Sequence, residues 1–158
     1  MRMVMALLIG VGCVTGVGAQ APKDTRLAKR YGIEVDLDKY PQATPKDTVA
    51  SVLKAVDYGR IDYLLAQLSD PEFVDRRVQQ VHGGKFDGMV QETAAKLAND
   101  PGTVKKLRRF LAEGTWDVQE NAANARLKDA PERVYLRKID TRWFLENQDR
   151  PKPEAKEK

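Results

Sequence analysis

Residues 114–147 constrain this chain more than any other stretch. They read G-T-W-D-V-Q-E-N-A-A-N-A-R-L-K-D-A-P-E-R-V-Y-L-R-K-I-D-T-R-W-F-L-E-N and hold both tryptophans. Trp116 and Val118 alternate with Thr115, Asp117 and Gln119. Residues 121–124 read as a turn or bulge, Ala125 and Leu127 resume the alternation, and Asp129-Ala130-Pro131 turns the chain. Val134, Leu136 and Lys138 then share one face and Tyr135, Arg137 and Ile139 the other. Asp140-Thr141 is a tight turn before a last strand at Trp143-Phe144-Leu145. Period two with short turns predicts successive antiparallel strands. A sheet this small needs a covering layer on one face, and the segments before it are helical.

Thr44-Pro45-Lys46-Asp47 is a helix start, with a capping hydroxyl, a proline at the first position and a carboxylate in the first turn. Val49, Val52, Leu53 and Val56 follow at helical spacing. Gly59 ends this helix, and Ile61, Leu64, Leu65 and Leu68 continue as a second. Ser69-Asp70-Pro71-Glu72 starts a third, with Phe73, Val74, Val78 and Val81 on its apolar side and His82-Gly83-Gly84 at its end. Phe86, Met89, Val90, Ala94 and Leu97 mark a fourth. Asn99-Asp100-Pro101-Gly102 restarts a fifth, which carries Val104, Leu107, Phe110 and Leu111 and ends at Gly114. The predicted fold is α+β, with several N-terminal helices packed on a small C-terminal antiparallel sheet.

Residues 1–19 begin with Arg2, continue as an apolar run and end in Val17-Gly18-Ala19, the pattern of a secretory signal peptide. The run is broken by four glycines and falls short of the about 20 apolar residues that a spanning helix needs. We expect cleavage after Ala19, with an uncleaved anchor as the alternative, export to a periplasmic or extracellular setting, and no membrane span after leader removal. The one cysteine, Cys13, lies in this leader. A lipoprotein anchored there is the minor alternative; otherwise the mature chain has no disulfide or thiolate site. Residues 20–43 read as an extended N-terminal arm. Within it Tyr31, Ile33, Val35 and Leu37 alternate with acidic residues and point one way. Residues 44–147 form the domain, and residues 148–158 are a charged tail expected to be disordered.

Two passages carry a family resemblance. Residues 44–68, T-P-K-D-T-V-A-S-V-L-K-A-V-D-Y-G-R-I-D-Y-L-L-A-Q-L, are a capped helix, a glycine break and a leucine-rich second helix. Residues 132–144 are a strand, a polar turn and a tryptophan strand, preceded by a further strand over residues 114–128. Together they resemble small exported domains of the nuclear-transport-factor-two-like (cystatin-like cone) superfamily. The resemblance implies a curved sheet around a helix with a pocket at its open end, dimerisation through the sheet, and either isomerase or dehydratase chemistry or plain ligand binding. Fold alone does not choose among these.

The chemistry-bearing residues are few. His82 is the one histidine and lacks the partners of a metal site or a nucleophile pair. Gly83-Gly84-Lys85 lacks the longer glycine pattern of a phosphate loop. Asp57, Tyr58, Asp62 and Tyr63 flank the helix break. A desolvated carboxylate beside a tyrosine hydroxyl is what proton abstraction next to a carbonyl needs, but exposure is expected around Gly59. Tyr58, Tyr63, Trp116 and Trp143 are the candidate ligand-binding side chains, with core packing as the plainer role of the aromatics. Arg76, Arg77, Lys105, Lys106, Arg108 and Arg109 are a candidate polyanion surface, interleaved with acids as a solvated face would be. Arg142 either reaches an anionic ligand or flanks its turn. The net charge of +4 over 158 residues is too dilute for a nucleic-acid binder. The reading is an exported, non-catalytic binding or interaction domain without cofactor or metal. Its partner is a small molecule or a protein, a second copy included. The alternatives are a cone-fold isomerase or dehydratase and a polyanion or envelope-surface binder.

Overall fold

The computed structural model describes residues 25–147. The leader expected at residues 1–19 and the tail expected at residues 148–158 lie outside the described residues. The chain runs α1 (Thr25–Ala28), β1 (Lys29–Arg30), β2 (Ile33–Glu34), α2 (Pro45–Asp57), α3 (Ile61–Tyr63) continuing as a π-helical turn (Leu64–Leu68), α4 (Pro71–His82), α5 (Phe86–Asn99), α6 (Pro101–Glu113), β3 (Thr115–Val118), β4 (Ala122–Arg126), β5 (Arg133–Ile139) and β6 (Arg142–Glu146). Strands β3 to β6 form one antiparallel meander in sequence order. The α+β expectation holds, with α2 and α6 against one face of that meander and the arm, the π-helical turn and the start of α4 covering the β6 end of the other, where Arg142 and Phe144 are buried.

The helix boundaries follow from local chemistry. The Thr44 hydroxyl accepts the Asp47 N–H at 3.1 Å, and Pro45 occupies the first turn, where its missing N–H costs nothing. Asp70 caps α4 by accepting the Glu72 N–H at 2.9 Å, and Asp100 caps α6 through the Thr103 N–H at 3.3 Å. After α2 the chain reverses through Gly59, whose φ of +66° is glycine territory.

Helix α2 is the centre of the molecule. One side, with Val52 and Ala55, meets Leu64, Leu68, Val74 and Val78 of the helical layer. The other, with Val49 and Leu53, meets Ala123, Leu136 and Trp143 of the sheet. Helix α6 covers the rest of that face, placing Phe110 on Ala125 and Leu127.

Four local readings are corrected. Residues 121–124 are not a turn or bulge throughout, because β4 starts at Ala122. Its alanines have low strand propensity, but Ala123 and Ala125 are 3% and 0% exposed beneath the helices, where small side chains let the layers close. The arm is not one extended run: its described part is a helical turn and a hairpin. Tyr31 sits in the hairpin turn with φ 51°, followed by Gly32 at 81°. Tyr31 therefore does not share the face of Ile33, Val35 and Leu37. It stacks on Phe86 at 4.0 Å and donates to Asp75. Val81 is not part of the apolar side of α4 but is 58% exposed.

The two edges of the meander differ. The β6 edge is closed. Trp143 N–H donates to the Gln42 carbonyl at 3.0 Å, Gln42 Nε2 donates to the Trp143 carbonyl at 2.7 Å, and Asp70 N–H donates to the Leu145 carbonyl at 2.8 Å. The β3 edge has no strand against it among the described residues.

Candidate functional site

The carboxylates and tyrosines around the helix break do not converge. Asp57 is on the surface, accepting from Arg108 at 2.5 Å. With Tyr58, itself 64% exposed, it lines a shallow groove of about 380 Å³ that Leu53, Lys54 and Leu111 complete. Asp62 accepts from Arg60 Nε at 2.9 Å and NH2 at 3.0 Å. That hydrogen bond holds its carboxyl below the usual aspartate range, opposite to what a buried base requires. Tyr63 is 2% exposed and its ring stacks on Tyr40 at 4.2 Å. Its hydroxyl accepts the Asp36 N–H at 2.9 Å, and burial pushes its pKa up. Tyr63 lines a different cleft, also about 380 Å³, with Tyr40, Arg60 and Lys39. Trp143 is 4% exposed and packs between α2 and the sheet, and Trp116, on the opposite edge strand, is half-buried against the same cluster. The four aromatic candidates thus divide among a groove, a cleft and the core.

Of the six basic candidates, four are ion-paired: Arg77 with Glu92, Lys106 with Glu132, Arg108 with Asp57, and Arg109 with both Glu113 and Asp129. Arg76 and Lys105 are exposed and have no acidic partner among the described residues. His82 closes α4, with Nε2 3.0 Å from Glu92. Glu92 also accepts from Arg77 and Lys96. The Lys96 hydrogen bond, reinforced by Arg77, lowers the Glu92 carboxyl to about 2. Among the described residues no group of three or more His, Cys, Asp or Glu is placed to hold a metal ion. None of their helices is long and apolar enough to cross a membrane.

Arg142 neither faces an anionic ligand nor simply flanks its turn. It is 2% exposed. Its Nε donates to Gln42 Oε1 at 3.1 Å and NH1 to the Leu27 carbonyl at 2.9 Å. NH2 donates to the Gln67 carbonyl and to Gln67 Oε1, both at 2.9 Å. Its guanidinium lies 4.8 Å from the Phe144 ring centre. No carboxylate is among these acceptors, and desolvation pulls its pKa down to about 10. One buried cation therefore ties the arm, the loop before α2, the π-helical turn and β6 together. Strand alternation cannot reveal this, because the arm that buries Arg142 is over 100 residues away in sequence.

The sheet carries a feature that the sequence reading missed. Thr115 pairs with Arg126, and Arg126 with Arg133, so these three share one row on the face away from the helices. Both arginines are exposed. Neither has an ion-pair partner among the described residues, although like charges directly opposite destabilise a sheet. Asp117, Asn124 and Tyr135 form the next row. Matching residues 126 and 133 across the Asp129-Ala130-Pro131 turn would have exposed the pair.

No family model matches this chain, and no curated protein or solved structure matches it.

Proposed function

We propose that the chain is a non-catalytic binding domain that takes a partner on the free edge and open face of its sheet. The observation that carries this is the Arg126–Arg133 pair. Two like charges stand directly opposite in the ladder, exposed and without an ion-pair partner among the described residues, and an anionic group laid over that row would relieve the repulsion. The β3 edge beside them offers unpaired main-chain groups, so the partner that fits both features is an extended polypeptide with an acidic residue at the Thr115 row.

The helix pair and terminal hairpin that carry the resemblance to the nuclear-transport-factor-two-like superfamily agree with this reading, since the face away from α2 and α6 is exposed at its β3–β4 end, where Thr115, Asp117, Arg126 and Arg133 lie. The export grammar of residues 1–19 supports an interaction outside the cytoplasm. The test is fluorescence anisotropy of a labelled peptide of alternating valine and glutamate. Binding should weaken as salt rises, and Arg126→Glu with Arg133→Glu should abolish it. Equal binding by a valine–lysine peptide would refute the reading.

A further inference from the structure

We propose that the occupant of the β3 edge is a second copy of this chain, paired antiparallel through β3 about a two-fold axis at Trp116; this rests on the sheet-edge reading above.

The ladder itself shows what the edge offers. Gln119 N–H donates to the Ala122 carbonyl at 2.8 Å. In an antiparallel pair, hydrogen-bonded positions alternate. The main-chain groups of Asp117 and Thr115 therefore face β4, and those of Trp116 and Val118 face outward. Val118 is 54% exposed on the helix side of the sheet, an apolar side chain at an uncovered edge. The other edge is occupied by Gln42 and Asp70, so a second copy can extend the meander only at β3.

Only two two-fold registers bring both outward residues into a new ladder while staying within residues 114–118. Centred on Asp117, Trp116 faces Val118 of the other copy and the two Asp117 carboxylates meet across the axis, which like charges disfavour. Centred on Trp116, the two tryptophan backbones exchange both bonds, and each Val118 N–H reaches the carbonyl of the second copy's Gly114, where no side chain competes. In this register the second copy's Asp117 falls opposite Thr115, at the end of the Thr115–Arg126–Arg133 row. Strands lie about 4.8 Å apart, so Arg126 is two strands, about 10 Å, from that carboxylate backbone-to-backbone. A long arginine spans this gap over a small threonine. The chain's own Asp117 lies diagonally in the next row, where Asn124 donates to it at 3.4 Å, and the second copy's Asp117 sets a further acid in line with the arginine row itself, twice per dimer. The C-terminal segment is a poorer occupant, because residues 148–158 carry four basic and three acidic side chains.

The experiment is sedimentation velocity of the whole chain from 10 μM to 1 mM. We expect self-association on the order of 0.1 mM, the weak class for a contact of this size. Asp117→Arg and Arg126→Asp should each weaken it at least tenfold, and the two combined should restore it. Val118→Pro removes an outward N–H while sparing the bonds to β4, and should give a monomer with unchanged circular dichroism. A single-chain mass up to 1 mM overturns the proposal, as does a dimer indifferent to both charge reversals. If the chain stays monomeric yet still binds the acidic peptide, the second copy is the wrong occupant and the binding site stands. If it does neither, both readings fall.

Discussion

Replacing Arg142 by methionine tests the main structural link in the molecule. The substitution keeps much of the aliphatic stem and removes the guanidinium. It orphans three buried acceptors: the Leu27 carbonyl, Gln42 Oε1 and Gln67 Oε1. The Gln67 carbonyl keeps its bond from Gln42 Nε2 at 3.0 Å. At about 2 kcal/mol for each orphaned buried acceptor, the loss is roughly 6 kcal/mol. Against it, the molecule recovers the cost of keeping a cation away from water. The displacement of the Arg142 pKa to about 10 corresponds to roughly 3 kcal/mol. The net expectation is a destabilisation of about 3 kcal/mol, a large share of a typical folding free energy. For a domain of this size that lowers the melting temperature by roughly 10 °C, read by circular dichroism. Trypsin should also cut sooner at Arg30, now 8% exposed, because the arm loses its anchor at Leu27. Arg142→Lys should recover only part of the loss, since an ammonium cannot span acceptors arranged around a planar fork. An Arg142→Met protein within 1 kcal/mol of the parent would refute the reasoning. It would mean that the desolvation cost had cancelled the whole network, as happens for some buried ion pairs.

Two further outcomes follow from single side chains. Glu92, held down to about 2 by Lys96 and Arg77, contributes stability above the ordinary glutamate range that is lost as pH falls from that range toward 2. The site is 30% exposed, so screening limits the effect to about 1 kcal/mol. Urea midpoints of Glu92→Gln should lie below the parent at pH 7 and converge with it at pH 2, and a gap independent of pH would rule this out. Tyr40 is 1% exposed and its hydroxyl has no hydrogen-bond partner among the described residues; Tyr40→Phe should therefore stabilise the fold by up to about 1 kcal/mol. A loss of similar size in chemical denaturation would show instead that a bound water serves that hydroxyl.

Most of the helical architecture was legible because it is written locally. Each cap lies within three residues of the N–H that it serves, as Thr44, Asp70 and Asp100 do. The meander was legible too, since alternation and short turns act over neighbouring residues. The errors fell where distant contacts overrule local preference. The alanines of β4 looked like a break, and burial beneath α2 and α6 makes them strand. Tyr31 looked like one of an alternating set, and a stacking partner in α5 draws it out. Of the candidate sites, the pairing of acids with bases on the surface was foreseen in kind, but which acid meets which base was not. Arg108 finds Asp57 across 51 positions.

By itself, then, the sequence determined the order of the main helices and strands, the α+β class and most of the side chains that turn inward from the helices, because hydrophobic period and capping chemistry need no partner to be read. Tertiary structure alone decided that Arg142 is buried, that among the described residues β6 is closed while β3 is open, and that Arg126 and Arg133 stand together there without an ion-pair partner. Each of these depends on which segments meet, and a charge is costly, neutral or useful only according to what the fold places beside it.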